Sequence, residues 1–165
     1  MRTRRAVAGS LVFFLFAPAV VAGVIPWWLT KWGIQPTTTS VRIVGIVLIV
    51  IGVSSLVYSF ARFVVEGLGT PAPVAPTEHL VVGGLYRYVR NPMYVAVLAT
   101  ILGQALLFGQ LVLLVYALIA GTAMVAFSRW YEEPALLRRF GESYVEYRRT
   151  VPGWLPRLPP RVDGR

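Results

Sequence analysis

The sequence contains no cysteine and a single histidine, His79. Without cysteine the chain forms neither disulfides nor thiolate metal sites, and it offers no thiol nucleophile and no attachment point for a cysteine-linked lipid. A metal centre built from several imidazoles is not expected with one histidine. We therefore predict a protein without a bound metal.

Charged residues are also scarce, at 14% of the chain, whereas soluble domains carry roughly a quarter. Acidic residues number 7 against 16 basic ones, which gives a formal net charge of +9, and Lys31 is the sole lysine. The arginines lie mostly beside apolar runs and near the C-terminus, and no nucleic-acid motif accompanies them. This pattern predicts contact with anionic lipid headgroups and no nucleic-acid partner.

Three long stretches of the sequence have no charged residue, at residues 6–30, 43–61 and 91–128. A helix of about 20 apolar residues crosses a bilayer, so the third stretch is long enough for two helices. Gly109 and Gln110 are its weakest apolar positions and mark the turn between them. We predict an all-α integral membrane bundle with four spans, near residues 8–30, 41–62, 91–108 and 111–129.

The distribution of arginine predicts the orientation of these spans. Basic residues precede the first span, separate the second from the third and follow the fourth, and basic residues mark the cytoplasmic side. Both termini are therefore expected in the cytoplasm. An alternative is that residues 1–22 form a secretory signal cleaved before Gly23, which would leave three spans. The continuation of the apolar run through "VIPWWL", with interfacial tryptophans, favours a retained span.

We interpret residues 1–165 as one membrane domain, with two spans in residues 1–63 and a loop, a helical hairpin and a C-terminal segment in residues 64–165. The connection at residues 66–84 is rich in glycine and proline, and its end, "HLVVGGLY", is apolar enough to lie against the helices. After Pro134, apolar side chains recur at helical spacing among charged ones. This predicts an amphipathic helix at the membrane interface, with Gly141 as a possible bend.

Two polar motifs flank the predicted hairpin. "YRYVRNPMYVA", residues 86–96, stands at its entrance, where Asn91 can cap the helix and Pro92 can occupy the first turn. Glu132 and Glu133 stand at its exit, where a helix C-terminus would disfavour carboxylates unless Pro134 begins a new helix. A hairpin would make the two motifs neighbours on one side of the membrane. Taken separately, the arginines could be topology anchors and the C-terminal helix a surface anchor.

The segments "LVVGGLYRYVRNPMY" and "EEPALLRRFGESYVEYRRTVPGWLP" together resemble the isoprenylcysteine carboxyl methyltransferase and phospholipid methyltransferase superfamily. The resemblance covers residues 67–157, and the first two spans carry no such signature. It implies an integral membrane enzyme that uses S-adenosylmethionine. Asn91 stands where the prenyl-cysteine enzymes often have histidine, and Ala96 where a glycine often follows. The resemblance therefore does not carry over a prenyl-cysteine substrate.

The resemblance also implies which residues contact the methyl donor. Glu132 would accept hydrogen bonds from the ribose hydroxyls, the start of the third span would receive the methionine carboxylate, and tyrosines would flank the adenine or the sulfonium. The complete set is Glu78, His79, Leu80, Val81, Tyr86, Arg90, Asn91, Pro92, Met93, Tyr94 and Glu132.

The nature of the methyl acceptor is a further expectation. A carboxylate or phenolate acceptor needs no general base, whereas an amine must first lose a proton. Few side chains of this sequence could serve as that base. We therefore expect O-methylation of a hydrophobic or lipid-like acceptor, with Arg129 gripping an anionic group. Alternatives are a phospholipid N-methyltransferase, a nicotinamide-dependent membrane reductase and a catalytically inactive scaffold. A four-helix transporter would need an ionisable residue deep in a span, and the uncharged runs contain none.

Overall fold

A computed structural model describes residues 16–67 and 79–157, with side chains for all of these except 63–67. Within those ranges the regular structure is entirely helical and includes no strand. The helices are α1 (Phe16–Thr30), α2 (Thr39–Gly67), α3 (Pro92–Phe108), α4 (Leu111–Phe127), α5 (Glu133–Phe140) and α6 (Glu142–Thr150). A 3₁₀ turn, Gly84–Arg87, precedes α3, and a π-helical turn, Ser128–Glu132, joins α4 to α5 without a break.

Two helical stretches are long and apolar enough to cross a membrane, Thr39–Arg62 and the continuous run Leu111–Phe140. Two shorter helices, Phe16–Thr30 and Pro92–Phe108, are also apolar. The predicted all-α class is therefore confirmed over the described ranges, and two helices of membrane-spanning length are observed. The number of four spans stays a prediction, as does the division of the domain at residue 63.

Glycine allows α2 and α3 to pack closely. A Cβ atom at Gly45 would lie 2.6 Å from the backbone nitrogen of Leu107, and one at Gly52 would lie 2.5 Å from the Thr100 hydroxyl oxygen. On the facing helix, a Cβ at Gly103 would meet the carbonyl oxygen of Gly45 at 2.7 Å. Small residues at such crossings bring backbones together in membrane helices, where packing rather than apolar burial drives association.

The turn between α3 and α4 lies where the sequence predicts it, at Gly109 and Gln110. Gly109 has φ 67°, a left-handed conformation that favours glycine, and its amide bonds the carbonyl of Ala105 to close α3. A Cβ at this position would also meet Gln35 at 3.2 Å. The hairpin is therefore closed by a helix-ending glycine packed against the loop that follows α1.

Both π-helical turns end just before a proline. Val20–Val24 precedes Pro26, and Ser128–Glu132 precedes Pro134. Proline has no amide hydrogen, so the ordinary i→i−4 ladder cannot continue through it. In each turn the residue before the proline donates its amide hydrogen five residues back instead, to Val20 and to Ser128 respectively. Proline thus accounts for the local widening of both helices.

Two side chains of the α3–α4 hairpin donate hydrogen bonds to carbonyl groups within the first of these turns, Val20–Val24. Gln104 Nε2 donates to the carbonyl of Ala22 at 2.6 Å, and the Tyr116 hydroxyl donates to the carbonyl of Val21 at 2.7 Å. Without an amide hydrogen at Pro26, the Ala22 carbonyl has no i+4 donor within its own helix. Neighbouring helices commonly satisfy such groups in membrane proteins. Gln104 therefore ties α1 to the hairpin.

The segment before α3 packs against the helices, as predicted for its described part. Val81 and Tyr86 are buried, and a Cβ at Gly84 would lie 2.9 Å from the Tyr58 ring of α2. At the other end of the chain, Gly141 separates α5 from α6 with φ 52°, which agrees with the predicted bend. The placement of α5 and α6 at a membrane interface stays a prediction.

Candidate functional site

The hairpin brings the two polar motifs into contact. The Tyr94 hydroxyl, in the first turn of α3, donates to Glu132 Oε1 at 2.7 Å. Four residues before Tyr94, Arg90 donates from Nη1 to Glu133 Oε1 at 2.9 Å. The predicted proximity of the entrance and exit motifs is confirmed, and these two contacts define the candidate site.

The two adjacent glutamates have different partners. Glu133 pairs with Arg90 and, through Oε2, with Arg148 at 3.5 Å. Glu132 accepts instead from the neutral hydroxyl of Tyr94. The site thus contains one charge-compensated carboxylate and one that keeps capacity to bind a ligand.

Asn91 does not cap α3, contrary to expectation. It occupies the N-cap position, but its side chain makes no capping hydrogen bond. Its Nδ2 donates instead to the carbonyl of Gly153 at 3.0 Å, and its Oδ1 accepts from the Ser128 hydroxyl at 3.4 Å. Pro92 occupies the first helical turn as predicted. Because Oδ1, the atom that would accept a capping bond, accepts from the Ser128 hydroxyl, the Asn91 side chain leaves the first amide groups of α3 uncapped.

The Arg90 side chain donates hydrogen bonds to three groups in the C-terminal part of the chain. Besides Glu133, its guanidinium donates to the carbonyl of Val151 at 3.0 Å and to the hydroxyl of Tyr144 at 3.2 Å. Its side chain is only 14% exposed. Burial raises the pKa of Tyr144, as does the charge of Glu133, so this hydroxyl stays protonated. Arg90 therefore joins the entrance motif to α5, α6 and the segment after α6.

That segment, residues 151–157, runs beside residues 88–91, and we call it the strap. The amides of Arg90 and Asn91 donate to the carbonyls of Pro152 and Gly153, at 2.8 and 3.2 Å. At its far end the Arg157 amide donates to the carbonyl of Tyr88 at 3.0 Å. The strap thereby places the Trp154 ring against that of Tyr94.

Trp154 and Tyr94 form a stacked pair, with ring centroids 5.9 Å apart and planes inclined by 13°. The same tyrosine carries the hydrogen bond to Glu132. The candidate site therefore consists of a partly buried carboxylate, a phenol hydrogen-bonded to it and a second aromatic ring stacked on that phenol.

The remaining predicted site residues occupy different environments. Val81, Tyr86 and Pro92 are buried, whereas Leu80 and Met93 are partly exposed. His79 and Arg129 are exposed, Arg129 within the π-helical turn that carries Glu132. Glu78 lies outside the described residues. Contact of any of these residues, or of Arg90, with a ligand stays a prediction.

Glu133 was predicted as part of the exit motif but not as a site residue, and four other residues of this cluster were not predicted from the sequence: Ser128, Tyr144, Gly153 and Trp154. The pair of glutamates gave a signal for Glu133, since adjacent carboxylates near an arginine-rich motif need compensation. The isolated tryptophan in "VPGWLP" was a weaker signal. No local pattern showed that this segment returns to residues 88–91, because that pairing joins positions about sixty residues apart.

The side chains of the site suit a ligand that carries a positive charge and a separate anionic group. A carboxylate has room for more hydrogen bonds than the one that Tyr94 makes, and its charge attracts cations. Aromatic faces attract cations as well, and the uncapped start of α3 suits an anionic group. Among the described residues, no three histidine or acidic side chains group as a metal site would require.

Comparison with known proteins is consistent with the side chains found at this site. A family model described as phospholipid methyltransferase matches residues 41–143. The Protein-S-isoprenylcysteine O-methyltransferase of Schizosaccharomyces pombe (strain 972) is 39% identical over 91 residues, which covers 50% of this chain and 35% of that protein. The chain thus spans about a third of that relative's length. Since the family match begins at residue 41, the expectation that both of the first two spans lack a family signature is wrong for α2.

Proposed function

Because the chain belongs to the phospholipid methyltransferase family, we propose that it is a membrane methyltransferase that uses S-adenosylmethionine as methyl donor. Its acceptor is a hydrophobic or lipid-like molecule, methylated on a carboxylate or hydroxyl oxygen. The observation that carries the proposal is the hydrogen bond between Tyr94 and Glu132, because it joins the entrance and exit motifs into one site beside apolar helices.

Residues of the entrance motif, Glu132 and two buried side chains would surround the donor. Glu132 would accept hydrogen bonds from the ribose hydroxyls, and the first turn of α3, at Met93 and Tyr94, would receive the amino-acid carboxylate. Tyr94 would lie beside the positive sulfur. When bound, S-adenosylmethionine supplies a methyl group on a sulfonium, which is a good leaving group. The buried residues Val81 and Tyr86 would shield the donor from water.

The contribution of the chain to the reaction is mainly positional. An anionic oxygen acceptor needs no proton removed, so holding it in line with the methyl group and excluding water can supply most of the rate. Arg129, exposed on the same π-helical turn as Glu132, would bind an anionic acceptor group. The strap and the Arg90 ion pair keep the entrance motif rigid while this happens.

Phospholipid N-methylation is the second candidate, and the family description favours it. An amine acceptor must be unprotonated before it can react. Glu132, whose hydrogen-bond partner is the neutral hydroxyl of Tyr94, would be the carboxylate that accepts this proton. In this alternative Glu132 would act on the acceptor as well as on the donor.

Binding of the donor tests the proposal directly. S-adenosylmethionine would be titrated by calorimetry into the full chain purified in detergent. We expect Glu132→Gln to weaken binding by roughly tenfold or more, since a hydrogen bond to a charged group contributes about 1.5–3 kcal/mol. Glu146→Gln is the matched control, because that carboxylate is exposed and bonds Arg149 on the outer face of α6. Absence of binding in the folded wild type would refute the proposal.

The fate of a labelled methyl group distinguishes the two acceptors. Membranes containing the protein would be incubated with methyl-labelled S-adenosylmethionine, and the lipid extract would then be treated with alkali. A carboxyl methyl ester releases volatile labelled methanol, whereas an N-methyl group survives alkali and its label stays non-volatile in the headgroup. We expect release for O-methylation of a carboxylate, and membranes with the Glu132→Gln variant supply the background. Retained label in a choline-type headgroup would establish N-methylation instead.

A further inference from the structure

The strap lies entirely outside the residues that the family model matches, which end at residue 143. Its hydrogen bonds to residues 88–91 nevertheless fix it against the candidate site along most of its length. A Cβ at Gly153 would come within 3.2 Å of the Arg90 guanidinium, so glycine leaves room for the Arg90 side chain at this point. The next residue, Trp154, is partly buried, whereas its neighbour Leu155 is 81% exposed. The strap thus turns one aromatic side chain inward and the following apolar one outward.

The inward tryptophan acts on the site through Tyr94. The two rings stack, and a stacked partner restricts rotation of the tyrosine ring. That ring carries the hydroxyl bonded to Glu132 at 2.7 Å. Trp154, Tyr94 and Glu132 therefore form a row of aromatic, phenol and carboxylate groups, which together suit an organic cation.

We propose that Trp154 is a specificity-determining residue that, together with Tyr94, gives the donor site its preference for a positively charged sulfur. This inference rests on the proposed function. Before methyl transfer the donor carries a sulfonium cation, and afterwards the product carries a neutral thioether of nearly the same shape. Aromatic faces and a carboxylate attract the cation and gain nothing comparable from the thioether. Trp154 thereby favours binding of the donor over retention of the demethylated product.

The test compares two ligands that differ in this charge. Affinities for S-adenosylmethionine and S-adenosylhomocysteine would be measured by calorimetry on the full chain in detergent, for the wild type and for Trp154→Phe and Trp154→Leu. We expect the ratio of the two affinities to fall in the order Trp, Phe, Leu. The total fall should be between about twofold and thirtyfold, which corresponds to a cation–π attraction of about 0.5–2 kcal/mol. Leu155→Ala should leave the ratio unchanged.

The outcomes separate the inference from the function on which it rests. Saturable binding with the same affinity ratio in all three proteins would overturn the role of Trp154 and leave the proposed function standing. An equal loss of both ligands in Trp154→Leu would show a purely structural role and would also overturn it. If that variant does not fold, the Phe variant decides alone, because phenylalanine keeps the packing and weakens the cation attraction. A wild type that binds neither ligand would overturn both proposals.

Discussion

At the scale of single residues, Gln104 shows how a proline inside an apolar helix is tolerated. Its side-chain amide bonds the carbonyl of Ala22 that Pro26 leaves without an intrahelical donor, and the indole of Trp32 donates in turn to its oxygen at 3.3 Å. Both ends of a buried amide are therefore satisfied, which matters because unpaired polar groups are costly in apolar surroundings.

We predict that Gln104→Leu lowers stability, although leucine is more apolar and of similar size. The change leaves the Ala22 carbonyl without its donor, which costs about 1–3 kcal/mol. The measurement is the midpoint of thermal unfolding in detergent, expected to fall by several degrees. Thr122→Val is the control, since the Thr122 hydroxyl is exposed and bonds the carbonyl of Leu118 in its own helix. An unchanged midpoint for Gln104→Leu would show that this bond contributes nothing to the fold.

Residue identity also shows where sequence reasoning succeeds. The proximity of the motifs that contain Tyr94 and Glu132 could be predicted because they stand at the two ends of the uncharged run 91–128, which is long enough for a hairpin. The prediction for Asn91 is wrong, because its residue type and position suit a cap while its Oδ1 accepts from Ser128 and its Nδ2 donates to the carbonyl of Gly153. Local rules rank local partners, and the partners found here lie 37 and 62 residues away.

At the scale of helices, the sequence predicts both ends of α3 but not the continuation of α4 into α5. Glycine at 109 and proline at 92 mark where α3 ends and begins, and both are observed in those roles. The predicted end of the fourth span at residue 129 is not a helix end, because the helical run continues through the π-helical turn to Phe140. Pro134 lies in the first turn of a new helix, as predicted, but the amide of Glu133 reaches back to Ser128 and keeps the chain helical.

The π-helical turn has a consequence for the site. A turn with i→i−5 bonds contains an extra residue, so it rotates the next helical segment relative to the preceding one. Glu132 and Glu133 stand at the end of this turn and contact Tyr94 and Arg90 respectively. Hydrophobic periodicity could not have predicted this rotation, because it assumes a constant number of residues per turn.

At the scale of the whole molecule, we propose that four helices cross the membrane and that the termini and the site face the cytoplasm. The absence of cysteine makes this testable with single introduced cysteines. In intact cells, a membrane-impermeant maleimide should label Thr38→Cys, between α1 and α2. It should label Ser143→Cys, at the start of α6, only after permeabilisation. Both positions are exposed in the structure. The reverse pattern, or equal labelling, would refute this orientation.

The position of the strap in the sequence determines at which stage of chain synthesis the site can form. Residues 88–91 are synthesised about sixty residues before the segment that bonds them, with the complete hairpin in between. A polypeptide that stops anywhere within the hairpin would contain the whole "RNPMY" motif and yet lack the carbonyls of Pro152 and Gly153 and the ring of Trp154. During biosynthesis the candidate site is therefore completed late, once translation has passed the hairpin and the nascent C-terminal segment has docked.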